Sequence, residues 1–342
     1  MKAMSRALAL SVCVTGFTMP SASSYAQQLT MYCSVQQAWC EAIAATFTAK
    51  TGTPVSMQRK DTGASLAQIR AEASNPQADI WWGGSGDAHI QAAQDKLTAV
   101  YKSPNMDQLQ PWAIDQAEKA GNRTVGIYAG VLGWGFNTEF LKSEGLPEPL
   151  SWADLERPEY KGEIQVANPN TSGTAYTALA TLVQLYGEDE AFEYLKRINS
   201  NISEYTQSGT AGIRAAAMGE TGIGIAFLHD VLEQIASGFP IKAVAPSDGT
   251  GYEIGSMSII EGSKNPELAK QFYDWALTKE AQETALPAKA FQIQANVAIE
   301  PPPEAPRLAD TKLIDYDFGK YGSSETRSRL LSRWDKEIGA NR

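Results

Sequence analysis

The chain of 342 residues carries 39 acidic against 29 basic side chains, a formal charge of −10. That balance argues against nucleic acid as a partner, which calls for a basic surface. Hydrophobic residues make up 43% of the chain, as in globular proteins, and no window approaches the run of about 20 apolar residues that a membrane helix needs.

Lys2 and Arg6 precede a short apolar stretch from Ala7 to Phe17 and the small-residue run Ser21 to Ala26. This order predicts an export signal, residues 1–26, cleaved after Ala26. Cys13 follows Val12, where lipid attachment favours a small residue, so no lipid anchor is expected. Without the signal, 27 basic face 39 acidic side chains, a formal charge of −12. The remaining length exceeds one ordinary domain of about 100 to 200 residues, which predicts two lobes. Cys33 and Cys40 stand seven apart in an exported and therefore oxidising setting, so a local disulfide is expected. A metal site would want more Cys or His nearby, and only His89 and His229 exist.

Gln28 to Ser34 reads as a strand, Ala38 to Thr51 as a helix stopped by Gly52, and Thr53 to Gln58 as a second strand. Ser65 to Ala73 looks helical, Ala78 to Trp82 like a strand, Gly83 to Gly86 like a loop and Ala88 to Gln94 like a helix. Such alternation predicts an α/β lobe with a mainly parallel sheet flanked by helices. The grammar restarts with a strand from Glu163 to Ala167, a loop from Asn168 to Gly173, a helix from Thr174 to Tyr186 and a strand from Ile223 to Phe227. Between the units, the apolar and Gly-studded stretch from Gly126 to Phe136 suits a crossing between lobes. A return crossing is expected near Gly255, with a strand from Ser256 to Ile260 and a helix from Pro266 to Thr278. The expected domains are therefore residues 27–127 with 256–300, then 128–255. Pro301, Pro302, Pro303 and Pro306 open a stiff connector and tail, residues 301–342. Ser324 to Glu337 reads as a last helix on the surface.

The loop Asn168-Pro-Asn-Thr-Ser-Gly-Thr174 joins a strand to a helix, so its amides and the hydroxyls of Thr171, Ser172 and Thr174 can converge on an anion. Ordinary N-capping explains the same residues equally well. His229 and Asp230 follow an apolar strand, at the carboxyl edge where open α/β sheets build ligand crevices. Glu253, in Gly-Tyr-Glu-Ile-Gly, precedes the returning strand and can face the same crevice. In the first unit Cys33 and Ser34, Arg59 to Gly63 and Gly84 to Asp87 end three strands at one edge, where Arg59 and Lys60 can supply positive charge. No Gly-x-Ser-x-Gly elbow, His-Glu-x-x-His or credible nucleophile accompanies the His-Asp pair, so no enzyme activity is expected.

Read together, Cys33-Ser34 with Trp39-Cys40, Ala78-Asp-Ile-Trp-Trp-Gly-Gly84, Ala99-Val-Tyr-Lys-Ser-Pro104, Gly133-Trp-Gly-Phe-Asn137 and Asn168 to Thr174 resemble the ferric-ion-binding-protein-like group of periplasmic solute-binding proteins. The resemblance spans nearly all of the exported chain. It implies a two-lobed periplasmic binding protein of type II with a hinge, serving a membrane permease of an ABC importer, monomeric and without cofactor. Ferric binders hold iron with adjacent tyrosines where this chain has Phe227-Leu-His-Asp230, and no Tyr-Tyr pair occurs anywhere in it. The His-Asp pair and the later Glu look instead like the hexose-phosphate-binding branch. That likeness implies a phosphate loop of Thr171, Ser172, Gly173 and Thr174 and a sugar grip of His229, Asp230 and Glu253, with Ser34 and the Thr62-Gly63 loop nearby. A small aminophosphonate is the second expectation, with its ammonium on Asp230 and Glu253, and ferric iron the third.

Overall fold

The structure is a computed structural model that describes residues 28–301, 303, 305 and 308–341. The expected export signal and Pro302 and Pro306 lie outside the described residues. The chain opens with β1 (Leu29–Cys33), α1 (Gln37–Thr51), β2 (Val55–Arg59), α2 (Thr62–Ala71), β3 (Ile80–Ser85), α3 (Gly86–Gln94) and α4 (Pro111–Lys119). The long strand β4 (Val125–Asn137) leads to α5 (Thr138–Glu144), β5 (Ile164–Ala167), α6 (Gly173–Tyr186), α7 (Glu188–Ile198), β6 (Ile202–Thr206), α8 (Ala211–Met218), β7 (Ile223–Phe227), α9 (Leu228–Ala236) and β8 (Ile241–Val244). The chain returns through β9 (Tyr252–Ile259) to α10 (Pro266–Ala276), α11 (Lys279–Gln282) and β10 (Ile293–Gln294), then ends with α12 (Phe318–Tyr321) and α13 (Ser324–Glu337).

Strand β4 explains the two-lobed form. Its first half, Val125 to Val131, pairs antiparallel with β9, and its second half, Leu132 to Phe136, pairs antiparallel with β7. One strand therefore belongs to two sheets, and β9 crosses back beside it. In the first lobe β1 lies parallel between β2 and β3, and in the second β5 lies parallel between β6 and β7. Both sheets are thus mixed: parallel in an outer trio, antiparallel where the crossing strands join. The aromatic and Gly-rich composition of β4 follows from this position, since all thirteen residues are buried and a side chain at Gly133 would meet Val244 O at 2.2 Å.

Each lobe has its own core. Trp39, Phe47, Trp82, Phe272 and Trp275 centre the first. Trp134, Trp152, Tyr176, Phe192 and Trp334 centre the second. Helix α13 matches the expected span, but it is not a surface ornament: Leu330 and Trp334 enter the second core because the helix turns one apolar stripe inward. The disulfide Cys33–Cys40 forms, tying the end of β1 to α1 across 6.0 Å between Cα atoms. Closing so short a loop stabilises the fold by about 2 to 3 kcal/mol through the unfolded chain's lost entropy.

Several boundaries differ from the sequence reading. Helix α2 starts at Thr62, because Asp61 takes the extended conformation that precedes a first turn, so Thr62 and Gly63 are helical and not a loop. Strand β3 continues through Gly83 and Gly84, whose φ of +80° and +92° a bulged strand end accepts only from glycine. His229 and Asp230 sit in the first turn of α9, not in a loop, and Glu253 lies within β9 instead of before it.

Candidate functional site

The carboxyl ends of the strands in both lobes face each other across a cleft with an empty volume of about 410 Å³. Six helices begin at its wall: α1 after Gln36, α2 at Thr62, α3 after Ser85, α6 after Ser172, α8 after Thr210, and α9 just before His229. Each brings the positive end of a helix dipole to the cleft, which favours an anion there. Arg59, among the described residues the one basic side chain of the lining apart from His229, is already engaged, with Nη2 2.6 Å from Asp61 Oδ1 and Nε donating to Val35 O at 3.2 Å.

The start of α6 faces the first lobe closely. Ser172 Oγ accepts from Ala175 N at 3.4 Å as a cap. A β-carbon on Gly173 would stand 2.3 Å from Ser85 Oγ and 3.0 Å from Thr62 Oγ1, so only glycine lets the lobes meet here. Ser85 Oγ is buried and has no hydrogen-bond partner among the described residues. Together Thr62, Ser85, Ser172, Gly173, Thr174 and Thr210 make a neutral, donor-rich corner suited to an oxyanion.

The opposite side is acidic. His229 packs between Phe227, stacked at 5.4 Å, and Tyr128, edge-on at 6.2 Å. Its Nε2 lies 3.6 Å from Asp230 Oδ2 and 3.9 Å from Glu253 Oε1. Burial pushes the His229 pKa down to about 3, leaving a neutral imidazole. Burial, then the charge of Glu233, raises Asp230 to about 7 despite a hydrogen bond from Gln36. Burial, then the charges of Asp230 and Asp87, holds Glu253 well above the usual carboxylate range.

Of the residues singled out from sequence, Ser34, Thr62, Ser172, Gly173, Thr174, His229, Asp230 and Glu253 line the cleft. Gly63 and Thr171 do not. Gly63 N donates to Thr171 O at 2.9 Å across the lobes, and the Thr171 hydroxyl turns away to Asn168 O and Gln207 O. Both serve contact between lobes, a role that only the tertiary arrangement reveals. The Ser34 hydroxyl, though at the wall, is taken by Ser65 Oγ and Trp81 Nε1. The sequence reading missed Gln36, Tyr128, Thr210 and Gln292. Gln292 Nε2 donates to Gln36 Oε1 at 2.9 Å, and Gln36 Nε2 donates to Asp230 Oδ1 at 2.8 Å, a relay from first lobe to second. Thr210, in Ser-Gly-Thr just before a helix, carries the same capping signal as Ser172 and was legible in principle.

The cleft thus sets a neutral, donor-rich corner against a buried acidic side, an arrangement able to hold a small polar solute. The comparisons agree. The periplasmic binding protein AfuA of Actinobacillus pleuropneumoniae, solved with exogenous fructose-6-phosphate bound, is 47% identical, with a TM-score of 0.89 over 91% of this chain and 98% of that one. An uncharacterized Haemophilus influenzae protein is 41% identical over 98% of this chain and 97% of its own. A Salmonella typhimurium periplasmic protein, provisionally named for 2-aminoethylphosphonate binding, is 26% identical over 82% of this chain and 81% of its own. The family model described as bacterial extracellular solute-binding protein matches residues 75–319, and with that match the two lobes and their shared cleft have their explanation: the chain belongs to this family of solute-binding proteins.

Proposed function

We propose that the protein, as the periplasmic solute-binding component of an ABC importer, captures a hexose phosphate in its cleft and delivers it to the membrane permease. The observation that carries this reading is the polarity of the cleft. A corner of uncharged donors at the start of α6 stands opposite the buried carboxyls of Asp230 and Glu253. Carboxylates repel a phosphate but accept hydrogen bonds from hydroxyls, so the two halves address opposite ends of one solute. In this assignment Ser172, Gly173, Thr174, Ser85 and Thr62 hold the phosphate, and His229, Asp230 and Glu253 hold the sugar. The similarity to a receptor solved with fructose-6-phosphate supports it.

A 2-aminoethylphosphonate is the second reading, favoured by the Salmonella relative and by the acidic pair, which would take its ammonium. Ferric iron ranks third, since hard iron prefers anionic oxygen donors and the chain has no paired tyrosines. The receptor works without chemistry on its solute: no covalent step is part of the proposal.

Calorimetry and thermal melting with glucose 6-phosphate, fructose 6-phosphate, 2-aminoethylphosphonate and ferric citrate test it. A true ligand at a hundred times its Kd stabilises the fold by about 2.7 kcal/mol. We expect both hexose phosphates to do so and to release no inorganic phosphate. Stabilisation by the phosphonate alone, or steady phosphate release, would overturn the assignment.

A further inference from the structure

The acidic half of the cleft has more negative charge than its surroundings neutralise. Asp230 and Glu253 are each 4% exposed or less. Asp230 receives one hydrogen bond, from Gln36, and no hydrogen bond reaches the Glu253 carboxyl among the described residues. The groups facing the pair do not compensate. On α9, His229 is neutral and Glu233 adds negative charge; from α3, Asp87 adds more, though the buried Arg327 of α13 acts on it; from β4, Tyr128 keeps its proton. Arg214 on α8 and Arg59 on β2 act on Asp230 only at a distance, as Lys289 does on Glu233, and Arg59 is bound to Asp61. A solute phosphate would bring further anionic charge into the same closed space. Two carboxylates and a phosphate buried together without a cation are strongly disfavoured unless a proton or a cationic ligand group joins them.

We propose that Asp230 and Glu253, which flank His229 Nε2 at 3.6 and 3.9 Å, together hold one proton in the closed cleft, and that this proton makes the site bifunctional: a hydroxyl is bound with the proton retained, whereas an ammonium displaces it. The cleft then takes a second solute class, amino-sugar phosphates, alongside neutral sugar phosphates. This rests on the reading of the cleft as a sugar-phosphate site. The balance is simple. On binding the amine, the carboxyl proton passes to buffer, the carboxylate pairs with the ammonium, and the charge of the acidic half is unchanged. For the neutral sugar the carboxyl can donate to one hydroxyl oxygen while its partner accepts from another.

The test is calorimetry of the full-length exported protein at pH 7 with glucose 6-phosphate and glucosamine 6-phosphate, in buffers of different ionisation enthalpy. Phosphate titration is common to both ligands and cancels in the comparison. The amino sugar should release about one proton more than the neutral sugar. Above neutral pH, affinity for glucose 6-phosphate should fall by up to about tenfold per pH unit, and affinity for the amino sugar much less. Glu253→Gln should abolish the difference in proton count and weaken the amino sugar about tenfold or more beyond any loss it causes for the neutral sugar; Asp230→Asn gives the same readout if that variant misfolds. Equal proton counts for two bound ligands would overturn the shared proton while leaving the sugar-phosphate reading intact. Failure of glucosamine 6-phosphate alone to bind would overturn the second solute class, and failure of glucose 6-phosphate to bind would overturn both readings.

Discussion

Asp230 keeps its proton to near neutrality because burial, then the charge of Glu233, disfavours its carboxylate, and the direction of that shift sets how stability depends on pH. Its pKa rises from 3.8 to about 7 on folding. The folded state therefore binds the proton more tightly, and the stability this provides is present below about pH 4 and lost as pH climbs to about 7. His89 and His229 act oppositely: burial lowers both to about 3, so their contribution is present above 6.5 and is lost on acidification. Subtracting a variant isolates the carboxyl. In melts of the unliganded protein between pH 4 and 8, Asp230→Asn should flatten the decline by up to about 1.4 kcal/mol per pH unit. An unchanged slope would mean that Asp230 is not the buried, proton-holding group described here. The acidic residues were legible in the sequence because a charged pair after an apolar strand has few structural explanations. Gly63 and Thr171 were misread for the converse reason: a Thr or Gly at a helix start looks the same whether it points at a ligand, at its own backbone or at the other lobe.

At the scale of elements, strands were legible from apolar runs and the starts of α10 and α13 fell where expected, but those of α1, α2, α3 and α6 were placed late. Thr62 and Gly173 both lie in first turns that the sequence reading gave to loops, since β-branched and Gly residues have low helix propensity and only the capping geometry of Asp61 and Ser172 shows where the turn begins. These first turns are where the cleft is built. The interlobe approach at Gly173 gives a direct prediction. Gly173→Ala places a methyl against Ser85 Oγ, so affinity for hexose phosphate should fall about tenfold or more, equivalent to about 1.4 kcal/mol, with little change in the melting temperature of the free protein. Calorimetry beside a melting curve separates the two effects. Undiminished affinity would show that the start of α6 does not close on Ser85 when ligand is bound.

For the molecule as a whole, the crossing strands β4 and β9 make closure a matter of rotating two rigid cores. Besides the Gln36 to Asp230 relay and the Gly63 amide, Lys289 Nζ donates to Ser237 Oγ at 3.2 Å, and Ser208 Oγ donates to Asp61 Oδ1 at 3.4 Å, each between lobes. The tail joins in: Tyr316 OH donates to Asp87 Oδ2 at 3.0 Å, and Ser324 Oγ to Asp95 Oδ1 at 2.8 Å, linking the second lobe's core to α3 of the first. Among the described residues the lobes are joined by such polar contacts and by no shared apolar core, so a solute that touches both walls can shift the population toward the closed form. The two-unit grammar and the crossing at Gly126 to Phe136 were readable from composition. The tail's burial was not, because its apolar residues are sparse and find their partners far away in sequence. The central claim is that the anionic end of the solute rests on the uncharged start of α6 while its hydroxyl end rests on Asp230 and Glu253. A crystal structure with bound fructose 6-phosphate measures this most directly. The account predicts phosphorus beside the amides of Ser172 to Thr174 and sugar hydroxyls on the two carboxyls; a ligand bound the other way round, or outside the cleft, would contradict it.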